Sequence, residues 1–233
     1  MKNLLKIAFA IFLCISVSYA APQKGTMTDP RDGKKYKTVK FGDQVWMAEN
    51  LNYEMSSSYC YDDNPDNCKK YGRLYKWAAA QKACPNGWHL PDDKYEFPRL
   101  FAGLICAERE NEDPNCVAPP QEAWYSYDLK SIGDWNTNGC RGGTGTITPK
   151  EATDKFSFSI LPAGYRSSTE EFDEMGKSAY FWTSKGYEYY NNISDLGAYA
   201  VVMYHCTNDI SLSSGNGAGY HKNRAHSVRC IKD

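Results

Sequence analysis

The sequence predicts an α+β domain stapled by disulfides. Three observations carry this. The elements run in the order hairpin, two helices, long irregular excursion and several antiparallel strands, which segregates helix from strand. Eight of the nine cysteines lie after residue 59, an even set that suits an oxidising compartment. Past an N-terminal leader, about 213 residues remain, a size for one domain with a sizeable core.

The leader comes first. Lys2 and Lys6 make a basic start, Ile7 to Val17 is almost wholly apolar, and Ser18-Tyr19-Ala20 offers small residues to a signal peptidase. The reading is a signal peptide over 1–20 with cleavage after Ala20, and a short linker over 21–27. Cys14, the ninth cysteine, falls inside this leader. As a lipoprotein cysteine it would follow Ile-Phe-Leu, whose bulky Leu13 disfavours lipidation. No later apolar run is long enough to span a membrane, so the expected location is outside the cytoplasm: extracellular, cell-surface or periplasmic. Removing Lys2 and Lys6 leaves 25 basic against 28 acidic residues, a balance that argues against nucleic acid as partner.

The hairpin is the first element of the domain. Lys35 to Phe41 alternates, Gly42-Asp43 suits a type II′ turn, and Gln44 to Glu49 returns, with Val39, Phe41, Val45 and Met47 expected to share a buried face. Cys60 and Cys68 bracket a polar loop rich in Asn, Asp and Pro, as do Cys106 and Cys116, and short loops close cheaply, so each pairs with its near neighbour. From Tyr71 to Cys84, Leu74, Trp77, Ala78 and Gln81 fall at helical spacing, and Pro85-Asn86-Gly87 ends the helix. A second helix follows, with Phe97, Leu100, Phe101, Leu104 and Ile105 on its buried face. Pro98 is harmless there in the first turn and disruptive if Asp93 is the cap.

From Ala107 to Lys155 periodicity vanishes, and Trp124, Tyr125, Tyr127 and Trp135 are scattered among Gly, Asn, Thr and Pro. Strand signals return in Phe156 to Ile160, Ala179 to Thr183, Ala198 to Tyr204 and Ser227 to Ile231, with a flexible turn over Ser213 to Tyr220.

Five motifs in fixed order carry a resemblance. They are Gly72-Arg-Leu-Tyr-Lys-Trp77, Cys84-Pro-Asn-Gly-Trp-His-Leu-Pro91, Leu161-Pro-Ala-Gly-Tyr-Arg166, Phe181-Trp-Thr-Ser184 and Ser227-Val-Arg-Cys-Ile-Lys-Asp233. Over residues 28–233 the chain resembles the Fibrobacter succinogenes major paralogous domain family, secreted bacterial proteins with no established activity. Cys106, Cys116, Cys140 and the excursion look like additions to the commoner family pattern. Trp77 to Cys84, then Trp-His-Leu and a second helix, is also similar to the first half of a C-type-lectin-like domain. That similarity implies a bond between Cys84, at the end of the first helix, and Cys230 in the last strand, which leaves Cys140 with Cys206. The calcium-dependent sugar-binding motifs of those lectins are absent here, so calcium-dependent sugar binding does not carry over. Formylglycine-generating enzymes share a related core, but their chemistry uses thiols, and cysteine parity leaves none free.

Catalytic motifs are missing: there is no His-Glu-x-x-His, Gly-x-Ser-x-Gly or phosphate-cradling glycine loop, and no cofactor is expected. Asp62, Asn64 and Asp66 are spaced like the start of a calcium loop but lack its turn glycine and distal glutamate. His89 suits packing or hydrogen bonding, and His221 and His226 flank a polar turn. Eighteen tyrosines and six tryptophans are the functional lead, since aromatic faces stack on sugar rings as readily as they fill a core. The expected function is a non-catalytic binding module for polysaccharide or a cell-surface protein, with Trp124, Tyr125, Trp135, Tyr187, Tyr189 and Tyr190 as binding candidates. The alternatives are a secreted hydrolase built on two carboxylates and a structural envelope protein.

Overall fold

A computed structural model describes residues 22–101, 126–136, 138, 140, 151–186, 197–213 and 219–233. These residues form three antiparallel sheets and a few short helices. The strands are β1 (Gln23–Thr28), β2 (Lys35–Phe41), β3 (Gln44–Met47), β4 (Ser58–Tyr59), β5 (Leu74–Lys76), β6 (Trp88–His89), β7 (Tyr165–Arg166), β8 (Phe172–Asp173), β9 (Ser178–Gly186), β10 (Gly197–Tyr204), β11 (Ile210–Ser213), β12 (Tyr220–His221), β13 (Ala225–His226) and β14 (Ile231–Lys232). One sheet runs β1-β2-β3-β14-β6, a second β4-β5-β13-β7-β8, and a third joins β9, β11 and β12 to β10. The helices are α1 (Pro65–Tyr71) and α2 (Trp77–Ala80), with a 3₁₀ turn over Tyr61–Asp63. Among the described residues no helix is long and apolar enough to cross a membrane.

The long strands β9 and β10 lie between two apolar clusters. Ala179, Phe181, Val201 and Met203 face one cluster with Val39, Trp46, Phe97, Leu100 and Phe101. Tyr180, Trp182, Ala200 and Val202 face the other with Met47, Leu51, Tyr75, Ala80 and Val228. Burial on both faces explains why these strands read as continuous apolar runs rather than alternating ones.

The hairpin forms with its two-residue turn, and Gly42 supplies the φ of +57° that the turn needs. Its buried face differs from the expected one. Directly opposed residues share a face, and the register places Val39 opposite Trp46 and Phe41 opposite Gln44. Trp46 therefore enters the first cluster with Val39, Met47 joins the second, and Val45 stays half-buried. The stretch expected to be linker is instead strand: Gln23–Thr28 pairs with β2 from Gln23↔Lys40 to Thr28↔Lys35.

The expected helix over Tyr71 to Cys84 shrinks to Trp77–Ala80. Leu74–Lys76 is pulled into a sheet, pairing with β4 on one side and β13 on the other, so tertiary hydrogen bonding overrides the helical spacing. Helix appears instead inside the Cys60–Cys68 loop, where Asn64 caps α1 by accepting from Asp66 N and Pro65 sits at the first helical position. Residues 96–101 are helical and Phe97, Leu100 and Phe101 are buried, as the periodicity indicates. Asp92 Oδ1 accepts from the amides of Lys94, Tyr95 and Glu96 in the turn over 93–95, and the α-helix itself starts only at Glu96, so Pro98 falls in its first turn.

The alternation Phe156 to Ile160 buries Phe156, Phe158 and Ile160 but makes no strand. Ser157 and Ser159 take φ of 56° and 49°, and the Asp154 carboxylate accepts from Ser159 N at 2.7 Å and Oγ at 2.5 Å, which closes a turn in place of a ladder. The last expected strand, Ser227 to Ile231, does not form: β13 ends before it at His226, β14 takes only Ile231 of it, and Ser227 makes an isolated bridge to Phe181. Disulfides Cys60–Cys68, Cys84–Cys230 and Cys140–Cys206 are present, the first as the short loop indicates and the other two as the lectin-like resemblance implies. Cys106 and Cys116 lie outside the described residues.

Candidate functional site

The site is built on a buried cation. Arg229 sits between β13 and β14 and is 1% exposed. Its Nε donates to Asn50 Oδ1 at 2.9 Å, Nη1 to the Phe158 carbonyl and Nη2 to the Ser159 carbonyl at 2.8 Å. Its guanidinium also lies 4.5 Å from the centre of the Phe158 ring. Burial lowers its pKa to about 9, which leaves it charged at neutral pH. Asn50 in turn donates to the Tyr71 carbonyl at 2.8 Å. Arg229 and Asn50 together therefore tie the segment after β3, the end of α1 and the turn at 158–159.

Above this joint opens a cleft of about 440 Å³. Its walls come from the start of β2, the segment after β3, the end of α1, residues 131–134 and the turn at 154–161. Gly72 is required at the cleft because it takes φ of +76° and any Cβ would lie 2.7 Å from Asn50 Cβ. Tyr36 is buried, and its hydroxyl accepts from Asn52 N at 3.1 Å. Burial raises the Tyr36 pKa to about 12, so the phenol stays neutral.

The lining is polar and carries both signs of charge, with lysines in excess. Lys34, Lys35, Lys37, Lys69 and Lys70 meet Glu49, Asp134 and Asp154, with Asn50 and Asn52 between them. Lys70 Nζ pairs with Asp134 at 2.9 Å, and that hydrogen bond raises the lysine's pKa. Lys34 Nζ donates to the Asn52 carbonyl at 2.5 Å and lies 3.1 Å from Asp32. Glu49 accepts from Lys37 N at 2.7 Å. Ile132, 69% exposed, stands at the rim as a single apolar side chain.

Of the residues singled out in the sequence, those that the structure describes are not among the lining residues. Trp124, Tyr125, Tyr187, Tyr189 and Tyr190 are outside the described residues. Trp135 is half-buried against the first cluster; its indole donates to the Ile160 carbonyl at 3.0 Å, and Lys130 Nζ lies 4.6 Å from its ring centre. It belongs to the segment that forms one cleft wall but is not among the lining residues. Asn64 is spent on capping α1, and Asp66 pairs with Lys69 at 2.7 Å, which lowers the carboxyl's pKa; Asp62 is exposed. His89 bridges Glu96 and Asp233, each at 2.6 Å. Sequence reasoning missed the cleft because its residues come from five separated stretches, and only the alternating lysines of β2 hinted at a polar face.

Residues 39–232 match the profile of the Fibrobacter succinogenes major domain. No curated protein and no solved structure matches the chain.

Proposed function

This chain belongs to the Fibrobacter succinogenes major domain family, and from that premise we propose that it is a secreted or cell-surface, non-catalytic binding module whose cleft holds a polysaccharide segment. The observation that carries the reading is that ammonium and carboxylate groups line one cleft together, with Lys70 and Asp134 in direct contact across it. A sugar hydroxyl both donates and accepts, so it can bridge a lysine and a carboxylate at once. In the same proposal the architecture is C-type-lectin-like. The Cys84–Cys230 tie between the end of the α2 region and the segment before β14 supports it.

Three carboxylates in one cleft also raise the hydrolase alternative. Each has a local task, however: Glu49 holds Lys37 N, Asp134 holds Lys70, and Asp154 holds the turn at Ser159. A glycosidase needs one carboxyl free to donate a proton and another to attack or activate water. The arrangement favours binding over turnover.

The test is retention on insoluble polysaccharides and titration against soluble ones, with Lys70→Ala and Asp134→Ala variants. Losing one charged hydrogen bond should weaken binding about tenfold. If no polysaccharide binds while a cell-surface protein does, the ligand class is wrong. If an oligosaccharide is turned over and Asp154→Asn stops it, the hydrolase reading replaces this one.

A further inference from the structure

Immediately after β10, away from the cleft lining, His205 lies against a disulfide. Its Nε2 is 3.3 Å from Cys206 Sγ, and its Nδ1 is 3.7 Å from Cys140 Sγ. One ligand atom from each of the three residues can be chosen so that all lie within 4.8 Å of one another. His205 Nδ1 is also 2.5 Å from the Asn136 carbonyl. A carbonyl only accepts, so Nδ1 carries the proton and Nε2 keeps its lone pair. That tautomer, fixed by a backbone carbonyl, is the one a metal-binding histidine adopts.

The spacing fits a tetrahedral cation. Zinc–sulfur bonds of about 2.3 Å and zinc–nitrogen bonds of about 2.0–2.1 Å put sulfur and nitrogen about 3.6 Å apart and two sulfurs about 3.8 Å apart. Nε2 is already near that range from Cys206 Sγ, while Cys140 Sγ lies 3.7 Å from Nδ1, so a turn of the ring or a small shift of the freed Cys140 would bring Nε2 to both sulfurs. Only the sulfur pair, joined as a disulfide, is too close.

We propose that Cys140, Cys206 and His205 form a binding site for a zinc-class divalent cation when a thiol reductant opens their disulfide. Two thiols transfer two electrons and two protons to the disulfide, giving two cysteine thiols and one oxidised disulfide of the reductant. The cation then displaces both thiol protons and takes Nε2 as its third ligand, leaving a fourth position for water. The two sulfurs stay close after the bond opens, because other contacts hold their segments. Lys130 Nζ donates to the Tyr204 and Thr207 carbonyls, both at 2.8 Å. His205 N donates to the Lys177 carbonyl and Asn136 N to the Gly176 carbonyl, both at 2.7 Å. Cys206 and His205 are half-buried, so a small reductant can reach the pair from that side.

Cobalt(II) is the probe, added to protein reduced with dithiothreitol and desalted without oxygen, with opened disulfides counted by alkylation and mass spectrometry. The reduced protein should bind about one equivalent with thiolate-to-cobalt charge-transfer absorption, displaced by zinc, and unreduced protein should show none. Cys206→Ser should abolish the absorption and His205→Ala should weaken binding by about tenfold or more. Reduced wild type without the absorption overturns the proposal. So does an absorption undiminished in Cys140→Ser with Cys206→Ser, or unchanged in His205→Ala, because the metal then sits on other cysteines or on unfolded chain.

Discussion

His226 makes acid stability the sharpest test of the core. It is 0% exposed, both ring nitrogens lack a hydrogen-bond partner among the described residues, and it stacks on Trp182 with ring centres 3.9 Å apart. Tyr180 and Tyr220 crowd the same ring at 5.0 Å and 5.4 Å. Burial, helped by the nearby Arg224 cation, pushes its pKa well below the ordinary 6.5. The folded protein therefore keeps it neutral, while the unfolded chain takes up a proton near pH 6.5. The unfolded state binds more protons, so stability is full above pH 6.5 and falls as pH drops. From an unfolded pKa of 6.5, protonation of the unfolded chain alone lowers stability by about 2 kcal/mol between pH 7 and pH 5. His89 acts in the opposite sense. Burial lowers its pKa, but the Asp233 and Glu96 carboxylates outweigh that and raise it. Its stabilisation is present below pH 6.5 and fades as pH rises through the raised value, and its partial exposure screens it. The assay is urea unfolding at pH 7 and pH 5 for wild type and His226→Phe. The variant should lose about 2 kcal/mol less than wild type over that interval, whatever its stability at pH 7. Parallel pH profiles for the two proteins would refute the neutral, unpartnered assignment.

Arg229→Met should destabilise by about 3 kcal/mol, because the carbonyls of Phe158 and Ser159 and the amide oxygen of Asn50 lose their donor in a buried place. A loss under about 1 kcal/mol in urea midpoints would show that these groups find other partners. Removing Cys84–Cys230, which closes 146 residues, should cost up to about 5 kcal/mol on chain entropy, twice the roughly 2.5 kcal/mol for Cys60–Cys68, which closes 8. Melting of the two double-alanine variants checks the order. Gly164→Ala should cost at least about 2 kcal/mol, since φ is +62° and its Cβ would overlap the Asp173 carbonyl; Gly33→Ala, at φ +75° in open space, should cost about 1 kcal/mol from backbone strain alone. Equal melting shifts would mean the loop at Asp173 gives way.

The sequence carried the elements whose signal is local. Gly42-Asp43 encodes a turn in two residues, and the face Phe97, Leu100, Phe101 encodes burial through spacing alone. It failed where a distant strand decides. Leu74-Tyr75-Lys76 has helical spacing, yet Tyr75 pairs with Ser58 on one side and His226 on the other, more than 150 residues along the chain. No window around residue 75 contains that information. Phe156 to Ile160 fails for a different reason: the alternation correctly marks what is buried, but Asp154 supplies a hydrogen-bonding alternative to the ladder.

The same logic separates what the family motifs encode from what the cleft selects. Tyr75, Trp182, Val228 and Cys230, all motif residues, lie in the second cluster. Phe181 and Ile231 lie in the first. Of the motif residues, Gly72 and Leu161 line the cleft, and Gly72 contributes backbone room rather than a contact, while Arg229 is wholly engaged beneath it. Lys35, Lys37, Lys70, Ile132, Asp134 and Asp154, which present the cleft's charges and its apolar rim, lie outside every motif. A chain can therefore keep the motifs, and with them the core, while changing each group a ligand would meet. Membership in the family accounts for how this cleft is held open. The ligand has to be argued from the lysines, carboxylates and single isoleucine around it.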